Sequence, residues 1–249
     1  EFLNHLLNAG LGSLPGTAAE ILDDEIRSII CPDKLKTDQW LKVMEVAHQL
    51  GIRSTATIMF GHVEKPIHWA HHLLRLLELQ KRTGGFTEFV LLPFVHMEAP
   101  IYLKGGARQG PTFRESVLMH AVARLVFHKH IPNIQASWVK LGPAGVKFCL
   151  ETGANDVGGT LMSESITRSA GATYGQEMTP ERVIALINDL DRQPKQRTTL
   201  YKTPTKERQN AGLNVSPLQP ETSTLASHYE RNNLTKRELV RPGLEASSV

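Results

Sequence analysis

Gly61-His62-Val63-Glu64 follows directly on the apolar, β-branched run 54–60. Glycine there lets a ligand approach the backbone, and an imidazole can take or give a proton near neutral pH. The carboxylate supplies a fixed charge or caps the helix that follows. A capped strand-to-helix turn would use the same residues. Polar groups recur in the same topological place elsewhere. Thr17 and Glu20 follow the first short apolar run, His96 and Glu98 follow Phe94-Val95, and Asn155, Asp156, Ser163 and Glu164 flank the last run. Any one of these alone is loop decoration. Several converging at the carboxyl ends of parallel strands form the rim where α/β enzymes bind small molecules, so an enzyme site is expected there.

Other patterns point away from chemistry. Gly10-x-Gly12-x-x-x-Gly16 has the wrong spacing for a dinucleotide fingerprint, and Pro15 sits where the helix should begin. A strand-end turn with close backbone approach is the better reading. His68, His71 and His72 stand at helical spacing but lack the second acidic motif of a zinc helix. With Ile67, Ala70, Leu74 and Leu77 taken as the packed stripe, these histidines are expected on a solvated face, and no metal site is expected. Two cysteines, Cys31 and Cys149, exclude a disulfide framework.

The elements that position the rim alternate. The periodicity predicts a helix tail at Phe2, Leu3, Leu6 and Leu7, then a short strand over 11–14. A helix capped by Thr37 carries Trp40, Val43, Met44, Ala47 and Leu50 inward. Strand 54–60, helix 66–83, strand 86–95 and a helix opening at Pro111-Thr112 follow, the last with Leu118, Ala121, Val122 and Leu125 inward. Strand 133–138, helix 139–152, strand 155–162, helix 163–170 and a final helix from Thr179-Pro180 complete the series. Strict alternation requires parallel strands with right-handed crossovers. About five βα units fall short of the eight in a closed barrel. The expectation is the C-terminal part of a (β/α) TIM-type barrel over residues 1–203, truncated at its N-terminus, with an open doubly wound sheet as the alternative. Residues 204–249 are expected to be a disordered tail with a weak helix at 225–240.

Composition narrows the function classes. The chain has 249 residues, and 41% hydrophobic content rules out wholesale disorder. A formal charge of +3 is too small for a nucleic-acid footprint. No apolar run approaches a membrane span, and no targeting segment opens the chain, so the expected setting is cytoplasmic, with no nucleic acid or membrane as partner.

Four separated stretches, 9–22 (AGLGSLPGTAAEIL), 30–34 (ICPDK), 57–64 (TIMFGHVE) and 155–164 (NDVGGTLMSE), together with the ending 193–201 (QPKQRTTLY), resemble one family. It is the radical S-adenosylmethionine (SAM) enzymes that build the deazaflavin chromophore FO. The likeness is greatest to the half that joins L-tyrosine to 5-amino-6-(D-ribitylamino)uracil. The resemblance implies a radical SAM barrel, a transferase activity in coenzyme F-420 biosynthesis, and SAM and a 4Fe-4S cluster as cofactors. In the family the cluster reduces SAM, the resulting radical attacks tyrosine, and the broken Cα–Cβ bond yields a hydroxybenzyl-type fragment that adds to the uracil. The first FO synthase subunit or domain is the implied protein partner.

The family's CxxxCxxC cluster loop is absent from this chain, so the chain alone is expected to be inactive. Unpaired strand edges would also limit its solubility. Carried over by position, Thr17, Glu20, Thr57, Met59, Gly61 and Glu64 are expected to contact SAM. Thr57 and Met59 depart from the family's GxIxGxxE consensus. His62, His96, Glu98, Asn155, Asp156 and Glu164 are expected to contact substrates. Two alternatives stand beside this: a sister radical SAM enzyme of the futalosine route to menaquinone, and an inert truncated binding or assembly piece.

Overall fold

The computed structural model describes residues 1–161 and 164–216. In chain order the elements are α1 (Phe2–Asn8), β1 (Ser13–Leu14), α2 (Asp24–Ile30), α3 (Thr37–Gln49), β2 (Arg53–Phe60), α4 (Pro66–Thr83) and β3 (Phe86–Pro93). Then come α5 (Pro100–Leu103), α6 (Phe113–Val126), β4 (Ile134–Ala136), α7 (Trp138–Glu151), α8 (Ser165–Ser169), α9 (Pro180–Asn188) and α10 (Lys206–Leu213). The four strands form one sheet in the order β1-β2-β3-β4, every pair parallel. This is the α/β architecture that alternation requires. Elements α2, α5 and α10 are additional to those expected.

Register divides the sheet into two faces. Ala56 and Ile58 lie opposite Phe89 and Leu91, and Phe89 lies opposite Ile134. These residues pack with Trp40, Met44, Trp69, Leu73 and Leu76 from α3 and α4 into the main core. The alternate residues Thr57, Met59, Val90, Leu92 and Gln135 line the other face, which is only half-buried. That face and the carboxyl ends above it are where the polar residues gather.

Local chemistry explains the helix boundaries. Pro66 opens α4 at its first turn, and Gly84 ends it in the left-handed region (φ 62°). Thr112 and Glu115 form a reciprocal capping box on α6: Thr112 Oγ1 accepts from the Glu115 N–H (3.1 Å), and Glu115 Oε2 accepts from the Thr112 N–H (2.7 Å).

Three expectations change. The last strand reduces to a single parallel bridge between Asp156 and Gln135. The Gly158 N–H turns back onto Asp156 Oδ1 (2.6 Å), and this local turn competes with further pairing. Met162 and Ser163 lie outside the described residues. Second, the buried stripes of α4 and α6 are shifted from those expected, although Leu77 and Val122 pack against the core and His71 is exposed, as expected. His68 and His72 are buried, whereas Ile67, Ala70 and Leu74 are exposed. On α6, Ser116, Met119, His120 and Ala123 are buried, whereas Leu118 and Leu125 are exposed. Each of these buried polar side chains makes at least one hydrogen bond, which offsets part of the cost of burying it, although His72 Nε2 and His120 Nε2 have no partner among the described residues. His72 Nδ1 accepts from the Leu22 N–H (2.9 Å), and Gln80 bridges Phe86 and His130. Third, the tail is helical over Lys206–Leu213, with Thr205 capping it. The weak helix expected at 225–240 lies outside the described residues. No helix among the described residues is long and apolar enough to cross a membrane.

Candidate active site at the carboxyl ends of the strands

The β1–β2 end of the rim is built by backbone approach. The Gly16 N–H donates to Thr55 Oγ1 (2.6 Å), and Gly16 O accepts from Thr57 Oγ1. A Cβ at Gly16 would lie 2.5 Å from Thr55 O, so the close-approach reading of this glycine holds. Gly10 and Gly12 have open space around them. The Met59 N–H donates to Glu20 O (3.0 Å), bringing Glu20, Thr57 and Met59 together. The Glu20 carboxylate pairs with Lys34 at 2.6 Å. Thr17 is exposed, and its carbonyl accepts from Trp40 Nε1 (3.0 Å).

The turn after β2 is a clamp. The buried Glu64 carboxylate accepts from the Gly61 N–H, the His62 N–H (2.9 Å) and Trp69 Nε1 (2.8 Å), and His62 Nδ1 lies 2.8 Å from it. Burial alone would raise its pKa, but these donors and His62 outweigh that and hold it at about 2. His62 is buried, with Nε2 donating to Met59 O (3.0 Å). Gly61 adopts φ +98°, and a Cβ there would meet Pro111 Cδ at 2.1 Å. Gly61→Ala is therefore expected to destabilise the chain by about 3 kcal/mol through strain and overpacking. Urea denaturation checks this, and a loss below about 1 kcal/mol would contradict the clamp.

On the half-buried face of the sheet, five side chains form one network. Glu88 Oε2 accepts from Gln135 Nε2 (2.8 Å), Tyr201 OH (2.5 Å) and Arg197 Nη2 (3.3 Å). Asp156 accepts from Arg197 Nε and from its Nη2 (3.1 Å), and the guanidinium stacks 4.1 Å from the Tyr201 ring centre. Burial raises the Glu88 carboxyl above its ordinary range, although Tyr201, Arg197 and Gln135 oppose the shift. Of these residues only Asp156 was singled out by rim position. Arg197 and Tyr201 lie in the ending 193–201 that carries the family resemblance, and a carboxylate, Glu88, within the mostly apolar strand 86–95 is the signal for the centre of the network.

At the β3–β4 end, the residues that close α8 meet the loop after β3. The Glu98 N–H donates to Ala170 O (3.0 Å), and Gly171 packs on Met97. His96 stacks edge-on against Tyr102. Glu164 caps α8, accepting from the Thr167 N–H at 3.0 and 3.2 Å. Lys140, in the first turn of α7, donates to Thr167 Oγ1 (3.1 Å). Burial lowers the Lys140 pKa, and the nearby charges of Glu164 and Glu20 oppose that shift. Asn155 is separate from this site. Its side chain binds the Ile134 N–H (2.8 Å), Arg124 (2.7 Å) and Pro132 O (3.2 Å) at the amino end of β4.

Neither thiol suits cluster ligation. Cys31 and Cys149 are buried, and burial raises both thiols, Cys149 to about 12, whereas a metal ligand must be a thiolate. Asp23, Glu25 and His68 offer ligand atoms within 4.8 Å of one another. His68 Nδ1 accepts from the Lys65 N–H (3.0 Å), however, which leaves the ring proton on Nε2, and Arg75 lies 3.4 Å from Asp23. That cluster is a hydrogen-bonded charge group.

Residues 83–210 match the family model described as the CofH/MqnC C-terminal region. The chain is 53% identical over 221 residues to the FO synthase of Streptomyces coelicolor, covering 89% of this chain and 26% of that protein. It is 54% identical over 202 residues to the 5-amino-6-(D-ribitylamino)uracil–L-tyrosine 4-hydroxyphenyl transferase of Methanopyrus kandleri, covering 81% of this chain and 55% of that protein. A transferase of the same name from Methanothermobacter thermautotrophicus is 51% identical, again over 81% of this chain and 55% of the relative. The chain thus spans about a quarter to just over half the length of these relatives.

Proposed function

This chain belongs to the CofH/MqnC C-terminal region family, and from that membership we propose that it is the substrate-facing part of a radical SAM transferase. The reaction would move the 4-hydroxybenzyl fragment of L-tyrosine onto 5-amino-6-(D-ribitylamino)uracil, on the way to the deazaflavin FO. What carries this reading is 54% identity over 202 residues to a transferase named for those two substrates. The parallel sheet supports it as part of a (β/α) barrel, with small-molecule ligands at its carboxyl ends.

In this reading the β1–β2 rim, with Glu20, Thr57, Met59 and Gly61, lies along SAM, and the Glu64 clamp fixes the turn that shapes it. His96, Glu98 and Glu164 face the substrates. The two buried thiols do not fit a 4Fe-4S cluster, so the ligands of that group belong to other polypeptide, either the remainder of a longer chain or a partner domain. Bound there, the cluster and SAM supply radical initiation. The residues present here orient the substrates and exclude water.

The purified chain is expected to bind L-tyrosine and the aminouracil in calorimetry, yet to release no 5′-deoxyadenosine from SAM under reductant. Binding of a futalosine derivative with no response to tyrosine would move the assignment to the menaquinone branch. Formation of 5′-deoxyadenosine would show that the cluster reading is wrong.

A further inference from the structure

We propose that Lys140 and Glu164 together form a clamp for the zwitterionic end of an α-amino acid, the lysine taking the carboxylate and the glutamate the ammonium group. The inference deepens the proposed function and rests on it. Lys140 stands immediately after β4, at the carboxyl end of the sheet, where α/β proteins hold ligands. An ammonium group has three N–H donors. One of them goes to Thr167 Oγ1 (3.1 Å), and Lys140 forms no ion pair among the described residues. Such a half-buried cation with two donors left over is poorly compensated without an anion.

The neighbouring carboxylates do not fill that role. Glu20 is engaged with Lys34 at 2.6 Å, and Glu164 spends both oxygens on the Thr167 N–H of its own helix cap. Each carboxylate oxygen retains a further lone pair, so Glu164 can accept from a ligand ammonium while still capping α8. Both partners are held in place. Gly142 breaks α7 two residues after Lys140 (φ 66°, ψ 174°), with Tyr174 packed against the break. The Glu164 N–H is fixed to Gly175 O (2.9 Å), and Gly175 in turn packs on Val139, next to Lys140. The cation and the carboxylate therefore sit on two segments joined through Gly175, by a backbone hydrogen bond on one side and the Val139 side chain on the other.

An α-amino acid presents a carboxylate and an ammonium on one carbon, the complement of this pair. L-Tyrosine and the aminoacyl end of SAM share that chemistry, and ligand pairs separate the two sources. Calorimetry on the purified chain would compare L-tyrosine with tyramine, which lacks the carboxylate, and with 3-(4-hydroxyphenyl)propionate, which lacks the ammonium. It would also compare SAM with 5′-methylthioadenosine, which lacks the aminoacyl end. The wild-type chain is expected to prefer L-tyrosine by about 10- to 100-fold over each analogue, the scale of a charge-assisted contact.

Lys140→Met should abolish the preference over tyramine while leaving tyramine affinity unchanged, and Lys140→Arg should keep most of it. Glu164→Gln, which can still cap the helix, should abolish the preference over the propionate. The same losses seen only in the SAM pair would support the clamp and assign it to SAM. Preferences unchanged in both variants for both ligand pairs would overturn the clamp and leave the proposed function standing. A wild-type chain that binds none of these ligands would overturn both.

Discussion

Arg197→Met is expected to lower the unfolding free energy by about 3–5 kcal/mol, the cost of stranding buried charge. Asp156 and Glu88 are 8% and 5% exposed, and Arg197 is the cation that faces both. Without it, two buried carboxylates share one site with only neutral donors, Gln135 and Tyr201 on Glu88 and the Gly158 N–H on Asp156. The same loss detaches the segment after α9 from the sheet face, because Arg197 and Tyr201 are its hydrogen-bonding anchors there. Arg197→Lys should cost less, since it retains the charge but not the fork that reaches two carboxylates at once. Adding Glu88→Gln to Arg197→Met should recover part of the loss by removing one of the stranded charges. Urea denaturation of the four proteins checks this series. A methionine variant within 1 kcal/mol of wild type would show that the network is dispensable.

Acidification is the second large effect. His48, His72 and His120 are buried, and burial is the first cause of pKa values lowered to about 4, 3 and 4. His48 lies between Thr83 Oγ1 (2.7 Å) and Ser54 Oγ (2.8 Å), and Arg53 adds to its shift. His72 is held by the Leu22 N–H, and His120 Nδ1 lies 2.7 Å from Ser116 O.

All three values are depressed in the folded state. Their stabilising contribution is complete above the ordinary histidine value near 6.5 and is lost as pH falls through the folded values. Between those limits the unfolded chain takes up to three protons that the folded chain refuses. The slope is up to about 4 kcal/mol per pH unit. By pH 5 the cumulative loss reaches about 6 kcal/mol, so a domain at the lower end of ordinary stability, about 5–6 kcal/mol, is expected to unfold near pH 5. Glu64 adds to the loss from its ordinary value of 4.5 down to about 2. Urea midpoints at pH 7.5, 6.5, 5.5 and 4.5 should be level above pH 7 and fall steeply below 6.5. Equal stability at pH 7.5 and 5 would contradict the burial of these rings as neutral groups.

Much of the fold was legible because it depends on short-range signals. β-Branched runs and Pro-Thr helix starts marked β2, β3, α4, α6 and α9 with small boundary errors. Gly16 was readable as a close-approach turn. The rim was legible as a set of strand ends, since parallel topology places them on one side. Periodicity placed Leu77 and Val122 correctly but misassigned other residues on α4 and α6. Hydrophobicity alone takes His72, Gln80 and His120 for solvent-facing residues, and only their hydrogen-bond partners, 4 to 50 residues away, make burial tolerable.

From its order of residues alone, this protein is committed to parallel strands with helical crossovers, a polar rim at their carboxyl ends and a recognisable family. Those properties follow from local propensity and from spacing along the chain. Which polar groups meet was decided in three dimensions. Glu88 joins Arg197 and Tyr201 across more than 100 positions, and Lys140 is set beside Glu164 by the packing of α8 against α7 through Thr167. Asn155 and Asp156, adjacent in sequence, reach different partners, the Ile134 N–H and Arg197, because successive side chains of an extended chain point to opposite faces. The energy of a charge pair depends on distance and burial, and separation along the chain specifies neither.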